Sequence, residues 1–405
     1  MKRGLSVLMG SVLAASLVTV SLLTVSLLTV SLLTGCRESR EKGSEDTDVL
    51  YHSYYSEPYV TLDPSTEQSN GVKILHNVYE TLTRYNDRTD EVEPLLATNW
   101  ISNEDGTQWV FRLREDVTFH DGEKMNAEAV KKSIDRTINL GKGAAYIWNS
   151  VDSIEVTGEY EVTFHLSYSA SIPLIASAGY AAYIMSPNVL DKDVEWFNDG
   201  NDGGSGPYTI STASARAVTL AAYEGYRGGW EDNQYQYVYI QEVPDSGTRR
   251  ELLEKGESQL ASDFSIEDLK ALGEDDKFSV LHANTFTNVI LMLNTKSAPC
   301  NNKDFRKALA YAFPYEETVD EVLAGYGARS HGMIPAGLWG HSDDLMRYDC
   351  DLEKAGEYVK RSGLTDVTVT VSYMRSNTSY SKMLEIYKDN LARIGVTLKL
   401  LGMDW

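Results

Sequence analysis

Residues Pro94–Thr137 read PLLATNWISNEDGTQWVFRLREDVTFHDGEKMNAEAVKKSIDRT, and this stretch decides the fold. Trp109, Phe111 and Leu113 alternate with Val110, Arg112 and Arg114, the pattern of a strand with one apolar face. Before it, Asn103–Gly106 is turn chemistry, with Gly106 free to take a positive φ. Val117 and Phe119 suggest a second short strand. His120-Asp121-Gly122 then turns the chain, and Asn126 is placed to cap a helix. In that helix Val130, Ile134 and Ile138 fall four apart on one face, flanked by Lys131, Lys132, Asp135 and Arg136.

Around this block, 405 residues are too many for one ordinary core, so two or three domains are expected. Lys and Arg total 37 against 59 Asp and Glu, a net charge of -22. That balance argues against nucleic acid and anionic headgroups as partners. Lys2 and Arg3 precede an apolar run that repeats VSLLT at 20–24, 25–29 and 30–34 and ends in Leu33-Thr34-Gly35-Cys36. This is similar to a lipoprotein signal: residues 1–35 would be removed and Cys36 would carry the lipid. A plain membrane-spanning anchor is the competing reading, because the run is long enough to cross a bilayer. Either way the bulk of the chain is expected outside the cytoplasmic membrane, on its outer face or in the periplasm. Residues 36–48, acylated Cys36 followed by RESREKGSEDTD, are charged and almost free of apolar side chains, as in a flexible tether. Cys300 and Cys350 remain. A bridge between them is expected in a compartment that permits disulfides, with two separate buried thiols as the alternative.

The opening block resembles the bacterial family 5 solute-binding proteins, the peptide, dipeptide and nickel-binding receptors of ABC importers. The resemblance is carried by Trp109–Arg114 (WVFRLR), Phe119–Glu123 (FHDGE) and Asn126–Val130 (NAEAV). It extends to Leu62-Asp63-Pro64, to Asn77–Thr83 (NVYETLT), to Gly204–Ile210 (GSGPYTI, with Ser for the usual Thr) and to Phe305–Ala312 (FRKALAYA). It implies a mixed α/β, type II periplasmic-binding-protein fold of two lobes with a hinge, a cleft and an extra inserted small domain. The expected division is 49–72 and 186–260 for the first lobe, 73–185 for the inserted domain and 261–405 for the second lobe. Family members continue beyond an Asp-Trp pair like Asp404-Trp405, so the second lobe is expected to be incomplete at its C-terminal end.

Elsewhere the residues read plainly. Strands are expected at Val49–Tyr54, Tyr160–Leu166, Val238–Glu242, Val289–Asn294, Val367–Tyr373 and Val396–Leu400. Helices are expected at Ile74–Arg84, Thr248–Glu254, Asp304–Phe313 and Met383–Ile394, the last stopped by Gly395.

Chemistry for catalysis is absent from the sequence patterns. The seven His form no HExxH, no Cys pair has zinc spacing, and neither a nucleophile elbow nor a phosphate loop occurs. No cofactor or metal is expected, and His120-Asp121 reads as a turn-stabilising pair. The resemblance implies a monomeric receptor that captures a small solute, a di- or oligopeptide first, and passes it to a membrane permease. Nickel chelates, haem and oligosaccharides are alternative ligands, and a ligand-presenting sensor or a secreted hydrolase are alternative roles. By position the ligand would meet Gln68, Ser69 and Asn70 after the Leu-Asp-Pro turn. Ser262, Asp263 and Phe264 at the domain crossing, and Met292 beyond it, are further candidates, with Tyr51, Tyr54 and Tyr55 as aromatic neighbours.

Overall fold

The computed structural model describes residues 48–281, 285–338, 340–375 and 377–403. The signal segment, Cys36, the tether up to Thr47, His282 and Asp404-Trp405 lie outside the described residues. In chain order the elements are β1 (Val49–Tyr54), α1 (Val72–Val78), β2 (Thr83–Asn86), β3 (Glu91–Pro94), β4 (Ala97–Ser102), β5 (Gln108–Leu113), α2 (Ala127–Leu140), β6 (Val151–Gly158) and β7 (Glu161–Leu166). They continue as β8 (Tyr208–Ser214), β9 (Ala217–Ala222), β10 (Tyr237–Glu242), α3 (Ser246–Glu254), β11 (Leu260–Ala261) and α4 (Ile266–Gly273). The last five are α5 (Lys303–Ala312), α6 (Leu352–Ser362), β12 (Val367–Met374), α7 (Thr378–Arg393) and β13 (Val396–Met403). Shorter helical turns lie between them.

The opening block folds as its pattern dictates. β5 sits inside a four-stranded antiparallel sheet ordered β4-β5-β7-β6. Its Phe111 is buried edge-to-face on Phe164 of β7 (centroids 5.4 Å), and Trp148 stacks on the other side of Phe164 (6.0 Å). The Asn126 side chain accepts from Ala129 N (3.0 Å) and starts α2, and Gly141 ends it in the left-handed region. Val130 and Ile134 of α2 close the core beneath the sheet. Val117 and Phe119 are buried, but the expected strand there is reduced to one bridge, Thr118 to Lys124.

A second sheet runs β11-β1-β10-β9-β8, with β1 parallel to both its neighbours. Its core holds Leu62, Ile74, Leu75, Val78, Tyr79, Tyr183, Met185, Phe197 and Ile240. Thus α1, expected with the inserted domain, packs with the first lobe, and the core of the inserted unit begins at Leu82 and ends at Ile184. The helix expected over Ile74–Arg84 stops at Val78: Tyr79 turns extended, and Thr83 already pairs with Pro94 in β2–β3. The third core joins α5, α7 and the parallel pair β12–β13 through Phe305, Leu309, Tyr387, Leu391 and Leu398. In it, Tyr387 donates its hydroxyl to Leu309 O (2.9 Å).

Two expectations fail in this third unit. Residues Val289–Asn294 form no strand; no strand among the described residues runs beside them, and an apolar run without a partner for its N–H and C=O groups has no ladder to join. Cys300 and Cys350 are free thiols rather than a bridge. Cys300 precedes α5, its carbonyl taking Arg306 Nη1 (2.8 Å), while the Cys350 thiol lies by Ala312 O (4.0 Å) at the far end. The ten-residue helix between them is about 15 Å long, well beyond disulfide reach.

The inserted unit is fastened to the first lobe by buried charges. Arg136 of α2 grips Asp63 with two bonds (2.7 and 2.9 Å) and also reaches the carbonyls of Leu190 (3.1 Å) and Lys192 (3.1 Å). Arg227 and Ser205 meet at Glu80 (2.6 and 2.9 Å). His120 and Asp121 do not pair with each other. His120 Nδ1 faces Asp202 (2.5 Å) and its Nε2 faces Gly206 O (3.0 Å), whereas Asp121 accepts from Ser186 (2.6 Å) and Asn188 (3.0 Å).

Replacing one partner of a buried pair strands the other. Asp63→Asn is expected to cost roughly 3–5 kcal/mol. Urea unfolding checks this: the midpoint falls while the slope stays near that of the parent chain.

Candidate functional site

β1 ends at Tyr54, and three segments converge on that end. The first is the Leu-Asp-Pro turn. Asp63 accepts Thr66 N and Glu67 N on its carbonyl (3.0 Å each) and Ser65 N on its carboxylate (3.0 Å), which curls residues 63–67 back on themselves. Glu67, buried, then accepts Thr61 N (2.9 Å) and Ser69 N. Asn70 is left at the end of β1, donating Nδ2 to Ser56 Oγ (3.1 Å) and Glu57 O (3.0 Å) and accepting the Tyr54 hydroxyl (3.4 Å).

The second segment is the start of α1. Lys73 donates to Asn70 O (2.6 Å) and Pro58 O (3.0 Å), and its ammonium stands 3.5 Å from the centre of the Tyr54 ring. Burial lowers its pKa to about 8, against the opposing pull of Glu67 and Asp263. The Tyr54 ring also packs on Tyr55 (4.7 Å) and edge-on to His52 (5.7 Å), and burial raises its phenol. His52 Nε2 is buried without a hydrogen-bond partner. Burial, followed by the charge of Lys73, lowers its pKa to about 4, so the ring is neutral at physiological pH.

The third segment is the crossing out of β11. Asp263 takes φ +59°, a left-handed backbone on a non-glycine residue. Its carboxyl is open to solvent yet crowded by the protein under it, and this raises its pKa; the Ser262 hydroxyl, Arg249 and Lys73 pull the other way. The Ser262 hydroxyl is buried without a hydrogen bond of good geometry. Phe264 lies against the Arg249 guanidinium (5.6 Å).

Of the expected site residues, the structure brings Asn70 and Asp263 near Tyr54, with Ser262 and Phe264 on either side of Asp263 along the crossing. Gln68 and Ser69 lie exposed on the same loop. Met292 is 84% exposed and is tied to this cluster by no contact among the described residues. Tyr51 turns the other way and meets Tyr239 (5.8 Å). Sequence reading missed His52, Lys73 and Arg249. The alternation of β1 places His52 on the face of Tyr54, a signal that was available. Nothing local marks Lys73 or Arg249, because their partners are backbone carbonyls.

Other clusters are less promising. A surface depression of about 730 Å³ lies on the inserted sheet along Arg112, Arg114, Asp116 and Glu161. Its arginines are already paired, Arg112 with Glu161 and Arg114 with Asp116, and it lies on the inserted sheet and not at the crossing. His331 and His341 converge on Asp343 (2.8 and 3.1 Å), and Arg347 donates to His331 Nε2 (2.8 Å). Among the described residues no group of His, Cys, Asp and Glu is arranged to hold a metal ion. No helix among them is long and apolar enough to cross a membrane.

With this geometry in view, comparison with known proteins is informative. Residues 91–405 match the model of the bacterial extracellular solute-binding proteins, family 5 Middle. The chain is 28% identical over 350 residues to a probable D,D-dipeptide-binding periplasmic protein of Escherichia coli, covering 84% of this chain and 67% of that one. It is 25% identical over 365 residues to heme-binding protein A of Haemophilus influenzae, covering 81% and 65%. Among solved structures, the fold matches NikZ of Campylobacter jejuni in complex with Ni(L-His), with TM-score 0.78, 20% identity and coverage of 89% and 74%. It also matches a dipeptide-binding protein of Pseudoalteromonas in complex with Met-Leu, with TM-score 0.76, 20% identity and coverage of 88% and 76%. These matches establish the two-lobe binding-protein fold.

The neutral, orphaned imidazole gives a pH signature. The unfolded chain takes up the His52 proton near pH 6.5 and the folded chain only near 4. Between those values the unfolded state binds more protons, so this group removes stability as pH falls from about 6.5 towards 4 and is silent above that window. His52→Leu is expected to flatten that part of the profile, read as the difference in urea midpoint between the two chains at pH 7.5 and pH 5.

Proposed function

Because the chain belongs to the bacterial extracellular solute-binding proteins of family 5, we propose that it captures a small solute, a di- or oligopeptide, between its lobes and delivers it to an ABC permease. The observation that carries this reading is the convergence at the end of β1. There an aromatic ring (Tyr54), an amide (Asn70), and a carboxylate on the crossing (Asp263) meet beside the point where the chain leaves the first lobe. Such groups suit a ligand that is both polar and zwitterionic: the Asn70 and Tyr54 oxygens keep lone pairs to accept peptide N–H groups, the ring covers apolar surface, and the carboxylate answers an amine. Two lobes joined by an extended crossing suit closure around the ligand, with contacts made only in the closed state supplying the driving force. Binding is the whole of the activity, and no bond is made or broken.

The known ligands of similar proteins support a small, polar, chelating or zwitterionic cargo: a D,D-dipeptide in one relative's name, glutathione in another's, Met-Leu and Ni(L-His) in two structures. The anchor belongs to the same proposal. Acylation of Cys36 would hold the receptor at the outer face of the cytoplasmic membrane, with residues 37–48 as its tether.

Thermal melting of the purified protein, kept in detergent for its N-terminal anchor, tests the ligand class against dipeptides, nickel–histidine and cello-oligosaccharides. A ligand at 100 times its dissociation constant adds about 2.7 kcal/mol and raises the midpoint by several degrees. The expected result is a shift with dipeptides; a shift confined to nickel–histidine or to the sugar would move the assignment to that class.

A further inference from the structure

Arg249 has an unusual position. It lies on α3, is 2% exposed, and forms no salt bridge among the described residues. Four hydrogen bonds leave its guanidinium, all to backbone carbonyls. Nη1 donates to Val243 O (2.7 Å) and Pro244 O (2.8 Å); Nε donates to Ser262 O (3.1 Å) and Nη2 to Asp263 O (2.6 Å). The first two carbonyls belong to the exit of β10 and the other two to the exit of β11.

Those two strands flank β1, one on each side. Strands sit about 4.8 Å apart, so the exits of β10 and β11 would stand about 10 Å from each other if they ran straight. One guanidinium bonded to both requires that they bend inward over the end of β1, where Tyr54 lies. Val243 N donates to Tyr54 O, which fixes the β10 side of this arrangement (2.6 Å). On the β11 side the chain leaves through Asp263 in the left-handed region, a conformation that costs energy for any residue with a Cβ and persists only where the surroundings hold it. The groups that hold it are the two Arg249 bonds to the carbonyls on either side of the Asp263 Cα, together with the Phe264 ring packed against the same guanidinium.

We propose that Arg249 is a positioning residue for the binding site: by clamping the exits of β10 and β11 together it holds the crossing turn Ser262–Asp263–Phe264 so that the Asp263 carboxylate is presented beside Tyr54 and Lys73. This rests on the reading of the crossing as the wall of a ligand cleft. Lysine cannot replace the residue. A guanidinium offers five donors in a rigid fork, and here it spans two chain segments; an ammonium on a flexible stem covers one of them. No hydrogen bond of the clamp goes to a side chain of residues 243, 244, 262 or 263, so its bonding pattern tolerates other residues in the turn whose backbone can adopt the shape.

The test needs no ligand. The side-chain carboxyl of Asp263 is followed by NMR in chains carrying labelled aspartate, assigned with Asp263→Asn, and backbone exchange at residues 262–266 is followed by mass spectrometry. In Arg249→Gln the crossing is expected to exchange at least ten times faster, while exchange in β5 and β7 stays as in the parent. Arg249→Lys, which keeps the charge, is expected to show the same faster exchange together with an Asp263 carboxyl that titrates nearer its ordinary range, and it serves if the glutamine variant does not fold. A lowered melting point with crossing exchange and Asp263 titration unchanged in Arg249→Lys would overturn the proposal and leave Arg249 as support for α3 alone. Binding is then read with the dipeptide Ala-Ala by calorimetry. A parent chain that ignores it counts against the peptide reading and leaves the carboxyl and exchange measurements to decide on Arg249. If the parent binds it, Arg249→Lys is expected to weaken binding at least tenfold, and equal affinity in the two chains would again overturn the proposal.

Discussion

The bidentate contact between Arg136 and Asp63 is the constraint on which the arrangement of the first lobe depends. Asp63 does two things at once. Its carboxylate satisfies the guanidinium of α2, and its carbonyl and carboxylate cap the turn that carries residues 65–70. The same guanidinium reaches Leu190 and Lys192 on the chain returning from the inserted unit. One pair therefore registers three things against each other: the inserted helix, the turn beyond β1, and the return segment. A desolvated charge pair is a poor source of net stability, but it is intolerant of misplacement, because either charge left alone is costly. The position of Asn70, and through it of Tyr54 and Lys73, follows from that intolerance.

The chain carries far more acids than bases, and this changes how its cations are used. Arg136, Arg227, Arg249 and Arg329 have buried or nearly buried guanidiniums, and each sits at a joint: α2 to the turn after β1, Glu80 to the loop after β9, the exit of β10 to that of β11, and Glu316 to Tyr348 and Asp349. Most acids can remain solvated at no cost, whereas a buried guanidinium has five donors to satisfy, and Arg136 and Arg249 make four bonds each. Only a joint between segments, where carbonyls are left over from strand and helix ends, supplies that many. The correspondence between buried arginines and joints follows from donor counting.

The legible parts of the sequence were those in which one local rule decides the outcome. The alternation of Trp109 to Leu113, the Asn126 cap, the stripe of Phe305 to Ala312 and the Gly395 stop each depend on residues within a turn or two of one another, and each is found in the structure. The failures depended on distant partners. Ile74–Arg84 carries helical spacing throughout, yet Thr83 to Asn86 pairs with Glu91 to Pro94, and the strand pairing overrides the spacing after Val78. Val289–Asn294 has the composition of a buried strand and lacks a neighbouring strand among the described residues. Cys300 and Cys350 are separated by the length of α5, a distance invisible in their spacing of 50 along the chain.

The site was half legible for the same reason. Family resemblance brings Asn70, Asp263 and Phe264 forward as candidates, because their positions follow from the order of elements. Lys73 and Arg249 bind backbone carbonyls, and a carbonyl is present at every position, so no pairing of residue types in the sequence announces them. This has a consequence for how such a crossing can vary. A turn held by side-chain pairs would change shape with each substitution in it. A turn held by its carbonyls keeps its path while its side chains are exchanged, and the groups it shows to a ligand can then change without rebuilding the joint. In this chain that freedom allows an aspartate to stand at φ +59°, where its strain is borne by the two bonds from Arg249 rather than relieved by a glycine.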